Sequence, residues 1–386
     1  MPEPLTPPAP LSPGLRELAA DGADRARPER ASPSGARPRF AAQRVLVVRL
    51  GSLGDVVRTR FALPGLRELY PEARIDWLVE DRSAPGLVGV REIDDVIAVP
   101  RRELRASRPD SLLTVARQTV DALRARQYDV AVDFHSILKS ALLIWSARIP
   151  VRVGYDRPLA REGAQRLFSH RLTGRVPSHV SRFERNAALV EFLGARRGHG
   201  ARLPGLELEP ADRDSLPSLP RRFVVLHPGT SASTLYKRWE PERYAQVARE
   251  IADELGLPCV VTWGPVPGER EGAQQVVALA PRVALLGPAT RSLGALLALL
   301  QRSSLFIGSD SGPLHLASLA GRPCVVLCGP TDPVENAPFS GVPSRLLRVD
   351  VGCNPCREGC PARTCMGALR PAEVVRAAVE LLRPAS

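Results

Sequence analysis

Lysine is almost absent from this 386-residue chain, since only Lys139 and Lys237 occur and arginine supplies the rest of the positive charge. No apolar run reaches about 18 residues, which excludes a transmembrane helix from the sequence-based prediction. No Lys/Arg-rich tract is interleaved with aromatic residues, so nucleic acid is not expected as a partner. The net charge of +12 instead indicates an anionic partner, such as a phosphorylated glycolipid or the surface of a membrane.

The sequence also shows no apolar core of an export signal near its start. Residues 1–43 are rich in Pro, Ala and Arg, so they are predicted to form a disordered tail on a cytoplasmic protein. The seven cysteines are therefore expected to be reduced. Four of them form a closely spaced C-x2-C-x3-C-x4-C group, which is a candidate for a structural zinc site or a redox-sensitive loop, with an ordinary reduced loop as the alternative. They are Cys353, Cys356, Cys360 and Cys365.

Apolar strands alternate with amphipathic helices along most of the chain. The alternation breaks at the Pro-rich and charged stretch 206–220, which is predicted to be a linker. Two successive β-α series predict an α/β fold with two doubly wound, Rossmann-like domains, 44–205 and 221–370, followed by a C-terminal helix in 371–386. The predicted strands are 44–49, 74–80, 95–99, 129–134, 151–155, 222–226, 258–263, 282–286, 304–307 and 323–328.

Residues 304–321 carry the first functional signal. A short apolar strand is followed by the turn Gly-Ser-Asp-Ser-Gly, which ends at Gly312, and then by apolar residues at helical spacing. Such a turn presents bare backbone N–H groups at the start of a helix, which is a binding site for a phosphate or pyrophosphate. The alternative is an ordinary strand-to-helix turn capped by Ser or Asp.

A second strand-to-helix turn lies in residues 44–57, where Val-Leu-Val-Val is followed by Arg-Leu-Gly-Ser-Leu-Gly-Asp. The third glycine of a dinucleotide-binding fingerprint is missing, and so is the Gly-Lys-Ser/Thr of a phosphate loop. Asp55 is either a helix-capping residue or a general base presented to a cleft. Because ligands of doubly wound sheets bind at the carboxyl ends of the strands, the two turns are predicted to face one central cleft.

A third segment follows the predicted strand 222–226. Thr230 and Ser231 precede Lys237, and the next helix opens at Pro241. Hydroxyl donors and an ammonium group are suited to a diphosphate leaving group, whose departing charge needs fixed donors. The alternative is a surface loop with a solvated lysine.

Taken together, these three segments resemble the ADP-heptose:lipopolysaccharide heptosyltransferases of glycosyltransferase family 9. The matching pieces are Val-Leu-Val-Val-Arg-Leu-Gly-Ser-Leu-Gly-Asp55, His227-Pro-Gly-Thr with Lys237-Arg-Trp-Glu-Pro-Glu, and Gly308-Ser-Asp-Ser-Gly-Pro-Leu-His315. They occur in the order and spacing of the family, and the resemblance spans about residues 44–384. The cysteine-containing segment near the C-terminus also looks like that of the family.

The resemblance implies a GT-B architecture, with the acceptor on the N-terminal domain and the nucleotide sugar on the C-terminal domain. It implies the inverting transfer of L-glycero-D-manno-heptose from ADP-heptose to the lipopolysaccharide inner core, onto lipid A-Kdo or a heptosyl acceptor. No cofactor is required in this scheme. The implied partners are ADP-heptose and an anionic glycolipid at the cytoplasmic face of the inner membrane, where the protein is expected to be cytoplasmic or peripheral. The sequence indicates no oligomeric state.

The resemblance also assigns roles to residues. Asp55 is implied as the catalytic base, and Glu269 as the acid that binds the ribose hydroxyls, with Glu271 as the alternative. The other implied donor-binding residues are Thr230, Ser231, Lys237, Asp310, Ser311, Gly312 and His315.

Other polar residues of the N-terminal half are candidates for acceptor binding on the basis of their charge and position. His135 follows a predicted strand and either borders the acceptor cleft or is a structural histidine. The arginines that are candidates for binding acceptor phosphates or sugar-acid carboxylates are Arg58, Arg60, Arg101, Arg102 and Arg105.

Two other functions remain open at this stage. The same fold could transfer a different nucleotide sugar to a capsule, glycan or protein acceptor. A degenerate transferase that serves as a scaffold is the non-enzymatic alternative, but it predicts the loss of site residues, and Asp55, Lys237 and the segment 310–315 are all present.

Overall fold

The computed structural model describes residues 18–19, 38–100, 109–174, 176, 179–356 and 359–383. Within them the chain forms two sheets, each with a buried apolar cluster on both faces. The strands are β1 (Leu18–Ala19), β2 (Arg44–Val48), β3 (Arg74–Glu80), β4 (Asp95–Val99), β5 (Val130–Asp133), β6 (Val151–Tyr155), β7 (His170–Leu172), β8 (Val224–His227), β9 (Cys259–Val261), β10 (Ala284–Leu286), β11 (Leu305–Ser309), β12 (Cys324–Leu327) and β13 (Ser344–Leu347).

Helices connect these strands in both halves of the chain. The α-helices are Leu53–Arg60, Leu63–Leu69, Pro109–Ala125, Leu138–Ser146, Arg182–Phe192, Pro210–Asp214, Pro241–Leu255, Glu269–Leu279, Leu293–Arg302, Gly312–Leu319, Thr364–Gly367 and Pro371–Leu382. Short 3-10 helices occur at Ala84–Leu87, Ala164–Arg166 and Ala232–Lys237. None of the helices in the described part of the chain is long and apolar enough to cross a membrane.

The two sheets have the same topology. The N-terminal sheet has the order β4-β3-β2-β5-β6-β7 and the C-terminal sheet the order β13-β12-β11-β8-β9-β10, with all of these strands parallel. Strand β1, which lies within the predicted tail, pairs with β13 in the antiparallel direction, so β13 has a strand on each side. In each sheet the chain builds outward from a central strand and then returns to extend the other side, which is the Rossmann order. The predicted fold of two doubly wound domains is confirmed.

The predicted strands are all present, and their ends differ from the prediction by no more than two residues. Central strands were recognisable because they are buried on both faces and are therefore unbroken apolar runs, as in β2, where Val45–Val48 are fully buried. The helix predicted to open at Pro241 does so and extends to Leu255. Pro241 occupies its first turn, and Gly256 ends it at φ +64°, where a residue without a side chain adopts the left-handed conformation at little cost.

The predicted linker and the described end of the predicted tail contact the rest of the chain, and residues 1–17 and 20–37 of the tail lie outside the described residues. Residues 210–214 form a short helix, and Arg91 of the N-terminal half pairs with Glu207 at 2.7 Å. Near the start of the chain, the Tyr70 hydroxyl donates to the carbonyl of Phe40. The helix Pro371–Leu382 packs against the helix Pro241–Leu255.

The domains meet through helices that follow the central strands. Helix Leu53–Arg60 packs against helix Gly312–Leu319. A Cβ placed on Gly54 would lie 3.5 Å from Cδ2 of His315. The first turns of the two helices are therefore adjacent, which brings the two turns singled out in the sequence to one interface.

Candidate active site

The sequence-predicted residues cluster where the strand order of each sheet reverses. In the N-terminal sheet this point lies between β2 and β5, and in the C-terminal sheet between β8 and β11. Asp55 follows β2, Lys237 follows β8, and the segment 310–315 follows β11. Chain connections leave such a point in opposite directions and open a crevice at the carboxyl ends of the strands. Both crevices face the interface between the domains.

Asp55 lies in the first turn of helix Leu53–Arg60, and its carboxylate is surrounded by side-chain donors. Oδ2 lies 2.6 Å from Nη2 of Arg49 and accepts from Oγ of Ser52 at 3.1 Å. Oδ1 accepts from Nη2 of Arg58 at 2.8 Å and from Nη1 of Arg182 at 2.7 Å. Ser52, the N-cap residue, makes no capping hydrogen bond with its side chain. The carboxylate is therefore aimed at the arginines and the interface.

These arginines control the protonation of Asp55. Burial alone would raise the pKa of this carboxyl, but the charges of Arg49, Arg58 and Arg182 outweigh burial and hold the pKa well below its usual range. Asp55 is therefore ionised at neutral pH, and it is a weak base as long as all the arginines stay on it.

Of the groups around Asp55, sequence reasoning missed Arg49 and Arg182. Arg49 directly follows β2, so its place at the carboxyl end of a central strand was a usable signal. Arg182 starts a helix 127 positions further along the chain and carries no such signal. Its approach to Asp55 depends on how the helix Arg182–Phe192 packs on the domain.

Across the interface, Lys237, Asp310 and His315 form a buried polar group. The Lys237 Nζ lies 3.1 Å from Oδ2 of Asp310, and His315 Nε2 lies 3.7 Å from Oδ1 of the same carboxylate. Lys237 is thus paired, and His315 is buried rather than on a helix surface. Asp310 is not the helix cap, because Ser311 occupies the N-cap position.

The electrostatics of this group favour an ionised aspartate beside a neutral histidine. Burial alone would raise the pKa of Asp310, but His315 and Lys237 outweigh it and hold the pKa far below its usual range. Burial lowers the pKa of His315 to about 4. Within the described residues, Ser311 Oγ and His315 Nδ1 are buried and make no hydrogen bond. Two polar atoms beside the helix start thus remain available to a ligand.

Thr230 and Ser231 lie in the loop after β8, but only one of them is accessible. The Thr230 hydroxyl is buried and donates to the carbonyl of Thr234 at 3.0 Å. Arg238, which sequence reasoning missed, reaches Thr230 Oγ1 with Nε at 3.3 Å and the Thr230 carbonyl with Nη2 at 3.1 Å. Ser231 is exposed, and its hydroxyl contacts that of Thr234. Ser231 is the hydroxyl that a ligand can reach directly.

Glu269 is held close to the same loop. Its Oε2 accepts from the backbone N–H of Gly264 at 2.6 Å, and a Cβ on Gly229 would lie 2.6 Å from its carboxyl carbon. Only glycine leaves room for the carboxyl there. Burial raises the pKa of Glu269, whereas Glu271 is exposed. The geometry favours Glu269 over Glu271 as the carboxylate beside the loop that carries Thr230 and Ser231.

The acceptor candidates are not all brought to the interface. Arg58 contacts Asp55 and, through Nη1, the side-chain oxygen of Asn336 at 3.2 Å. Arg60 is fully buried and donates to the carbonyl of Gly86, so it does not reach the cleft, which speaks against its predicted acceptor role. Its helix turns it away from Asp55 and into the N-terminal domain. Arg101, Arg102 and Arg105 lie outside the described residues.

His135 lies near the cleft, and its ring is not satisfied. Its Nδ1 is buried and makes no hydrogen bond among the described residues, which differs from the expectation for a structural histidine. Burial lowers its pKa to about 3, and Arg49 and Lys139 act in the same direction. The second lysine of the chain, Lys139, pairs with Glu80.

The C-terminal cysteines are free thiols in the structure. Cys353 and Cys360 are exposed, Cys356 is half-buried and Cys365 is buried. Apart from residues 357–358 and the other stretches that the structure does not describe, no group of three or more His, Cys, Asp or Glu residues is arranged to hold a metal ion. The zinc site stays a sequence-based prediction.

Comparisons with known proteins agree with this arrangement. The family model for glycosyltransferase family 9 (heptosyltransferase) matches residues 116–365. Lipopolysaccharide heptosyltransferase 1 of Pseudomonas aeruginosa is 32% identical over 327 residues, which cover 81% of this chain and 86% of the relative. The structure of a glycosyl transferase family 9 protein from Veillonella parvula has a TM-score of 0.71 at 20% identity, over 90% of this chain and 99% of that one.

A ligand-bound structure has a similar fold. Escherichia coli heptosyltransferase WaaC with ADP has a TM-score of 0.67 at 24% identity, over 88% of this chain and 99% of that one. The family model spans more than half of this chain, and the two parallel sheets match the fold of these structures. The chain therefore belongs to glycosyltransferase family 9, the heptosyltransferase family, and has its GT-B fold.

Proposed function

We propose that this protein transfers L-glycero-D-manno-heptose from ADP-heptose to the inner core of lipopolysaccharide, with inversion at the anomeric carbon. The observation that carries the proposal is the meeting of two sites across the domain interface. Asp55 lies on one side, and the Lys237–Asp310 pair and the start of helix Gly312–Leu319 lie on the other. A base and a diphosphate site on opposite walls are what direct displacement requires.

In this reaction Asp55 takes the proton of the acceptor hydroxyl. The hydroxyl oxygen forms a bond to the anomeric carbon on the face opposite to ADP, and the bond from that carbon to the β-phosphate oxygen breaks. Its electron pair leaves with ADP, and the carbon is inverted. A positioned general base contributes roughly 10²–10⁴ to such a rate.

The C-terminal wall has the groups that a departing diphosphate needs. Lys237 supplies a point charge, and the backbone N–H groups at the start of helix Gly312–Leu319 supply oriented donors. Ser311 Oγ and His315 Nδ1, which make no hydrogen bond among the described residues, add two polar atoms at the same place. Because these groups carry the charge of the leaving ADP, the proposed transfer uses no metal ion, and we expect it to continue in EDTA.

The proposed acceptor is an anionic glycolipid at the cytoplasmic face of the inner membrane. The net charge of +12 supports this, as does an exposed apolar stripe on the N-terminal domain. The stripe consists of Leu138, Leu142 and Trp145, which share one face of the helix Leu138–Ser146. A lipid-linked acceptor would bring such a surface close to the bilayer.

The proposal is tested by incubating the protein with ADP-heptose and a series of truncated lipopolysaccharides, with the products analysed by mass spectrometry. We expect a mass increase of one heptose on an inner-core acceptor. Asp55→Ala and the isosteric Asp55→Asn should lose transfer while ADP binding, measured by calorimetry, stays close to that of the wild type. Near-normal turnover of Asp55→Asn would show that Asp55 is not the base.

Donor choice is tested in the same assay. UDP- and dTDP-sugars are offered in place of ADP-heptose, together with the same acceptors. Transfer from ADP-heptose alone supports the proposal. Faster transfer from another nucleotide sugar would favour the alternative of a GT-B enzyme for a capsule, glycan or protein acceptor.

A further inference from the structure

The Asp55 carboxylate has no lone pair free for an acceptor hydroxyl. Oδ1 accepts from Arg58 and Arg182, and Oδ2 is occupied by Arg49 and Ser52. A carboxylate offers about four lone-pair positions, so these donors fill them. A general base takes its proton through a lone pair, so one donor must leave before Asp55 can act. Rotation of the exposed Ser52 hydroxyl would free a position only on Oδ2, where Arg49 stays bound, and would leave all three arginine charges on the carboxylate.

Two of the donors, Arg49 and Arg58, are held in place by further hydrogen bonds. Arg49 also donates through Nη1 to the carbonyl of Phe134 at 2.8 Å, which ties it to the N-terminal sheet. The side chain of Arg58 is only 6% exposed, and its Nε donates to the carbonyl of Gly54 in its own helix. Neither arginine can move without breaking a further hydrogen bond in a nearly water-free place.

Arg182 is different. Its side chain is 32% exposed, and its Nε is buried and makes no hydrogen bond among the described residues. Its guanidinium lies between two carboxylates, with Nη1 on Asp55 and Nη2 at 3.9 Å from Oε2 of Glu335. A shift of about 1 Å would bring Arg182 within hydrogen-bond distance of the Glu335 carboxylate.

The backbone of Glu335 is held close to Arg182 by hydrogen bonds. The loop around Glu335 belongs to the C-terminal domain, and Oδ1 of Asp332 accepts from the backbone N–H groups of Val334 and Glu335 at 2.8 and 3.0 Å. The carbonyl of Glu335 accepts from the backbone N–H of Arg182 at 3.4 Å. Its carboxylate lies 3.7 Å from Nη2 of Arg185, so it is near two arginines and hydrogen-bonded to neither of them.

We propose that Glu335 is a positioning residue that draws Arg182 away from Asp55 when the acceptor enters. The exchange frees a lone pair on Oδ1 of Asp55, which then takes the proton of the acceptor hydroxyl. Since Glu335 lies on the C-terminal domain and Asp55 on the N-terminal domain, the base becomes competent when the two domains are correctly placed around the substrates. This inference rests on the proposed role of Asp55 as the base.

The first test is Glu335→Gln, which keeps the shape of the side chain and removes the charge that attracts Arg182. We expect kcat to fall about tenfold, with the KM values for donor and acceptor and the melting temperature close to those of the wild type. Glu335→Asp shortens the side chain by one methylene, and its kcat should lie between those of the wild type and of Glu335→Gln. The matched control is Glu380→Gln, because Glu380 also pairs with an arginine of the C-terminal domain, Arg345 at 3.2 Å, and lies outside the site.

The second test repeats Glu335→Gln in the background of Arg182→Gln. If Glu335 acts through Arg182, its substitution there should change kcat by less than about twofold, because coupled residues are not additive. Equal losses in both backgrounds, or a wild-type kcat for Glu335→Gln alone, would overturn the inference. The proposed function fails separately, if the wild-type protein transfers no heptose from ADP-heptose.

Discussion

At the scale of single residues, Lys237 and Asp310 determine the charge of the wall on which we propose that the donor binds. Their side chains are 14% and 7% exposed, and they are 3.1 Å apart, so each charge depends on the other. Removal of one member of such a pair leaves the other charge uncompensated. In the proposed donor site, Lys237 would therefore have two effects on a diphosphate, because it would attract the phosphate oxygens and neutralise the carboxylate that repels them.

This argument predicts that Lys237→Ala weakens ADP binding by about ten- to a hundredfold and slows transfer as well. Calorimetry with ADP measures the first effect, and the heptose-transfer assay the second. The double variant Lys237→Ala/Asp310→Asn should recover part of the ADP affinity, since it removes the repelling carboxylate too. Unchanged ADP binding in Lys237→Ala would place the lysine outside the donor site.

At the scale of strands and helices, the burial of a strand determined whether the sequence could predict it. Central strands such as β2 and β11 are covered on both faces, so they appear as unbroken apolar runs. The strands β7 and β13 were missed, because His-Arg-Leu and Ser-Arg-Leu-Leu contain polar residues and do not form an apolar run. Their neighbours in the sheet, rather than their own patterns, make them strands.

The same reasoning applies to the site. The segments that carry Asp55, Lys237 and Asp310 directly follow central strands, so topology alone brings them together. Arg182 and Glu335 come from loops and helix starts far along the chain, and no local pattern announces that they lie close to Asp55. Their contacts depend on how the domains pack against each other.

The helix Leu138–Ser146 presents an unusual outer face. Leu138, Leu142 and Trp145 recur at helical spacing, yet all three are exposed. The neighbouring helix Pro109–Ala125 carries the exposed Arg117 and Arg124, which lie 3.8 and 3.5 Å from the carboxylate of Asp121 and together outweigh its charge. An apolar stripe beside arginines is typical of a surface that rests on an anionic bilayer.

We therefore expect Leu142→Glu and Trp145→Glu to weaken binding to vesicles that contain anionic phospholipid, measured by co-sedimentation. A charge in the stripe must be desolvated on binding and is repelled by the lipid headgroups. The matched control is Leu279→Glu, because Leu142 and Leu279 are similarly exposed, at 41% and 42%, and Leu279 lies on the C-terminal domain. Equal effects of Leu142→Glu and Leu279→Glu would exclude the stripe as the docking surface.

At the scale of the whole molecule, aromatic side chains join the two domains. Phe61 and Phe183 of the N-terminal domain pack with Phe339 of the C-terminal domain, with ring centroids 4.7–5.5 Å apart. These rings belong to the same apolar cluster as Leu314, in the helix after β11. The core of one domain therefore continues into the other, next to the site that both domains form.

In Phe339→Ala, we expect the two domains to unfold independently of each other and to lose the transfer activity that needs both of them. Truncation of a buried phenylalanine costs about 3–5 kcal/mol, and at this position the loss falls on the interface. By native-state hydrogen exchange, we expect strands β2–β6 and β8–β12 to open together in the wild type and separately in the variant. Transfer should fall, because Asp55 and Lys237 lie on different domains, while ADP binding stays close to that of the wild type.

Phe168→Ala is the matched control, since Phe168 is buried against Gly154 within the N-terminal domain. It should lower stability but preserve the joint opening of the two domains. If both variants opened in the same way, the aromatic cluster would not be what couples the domains.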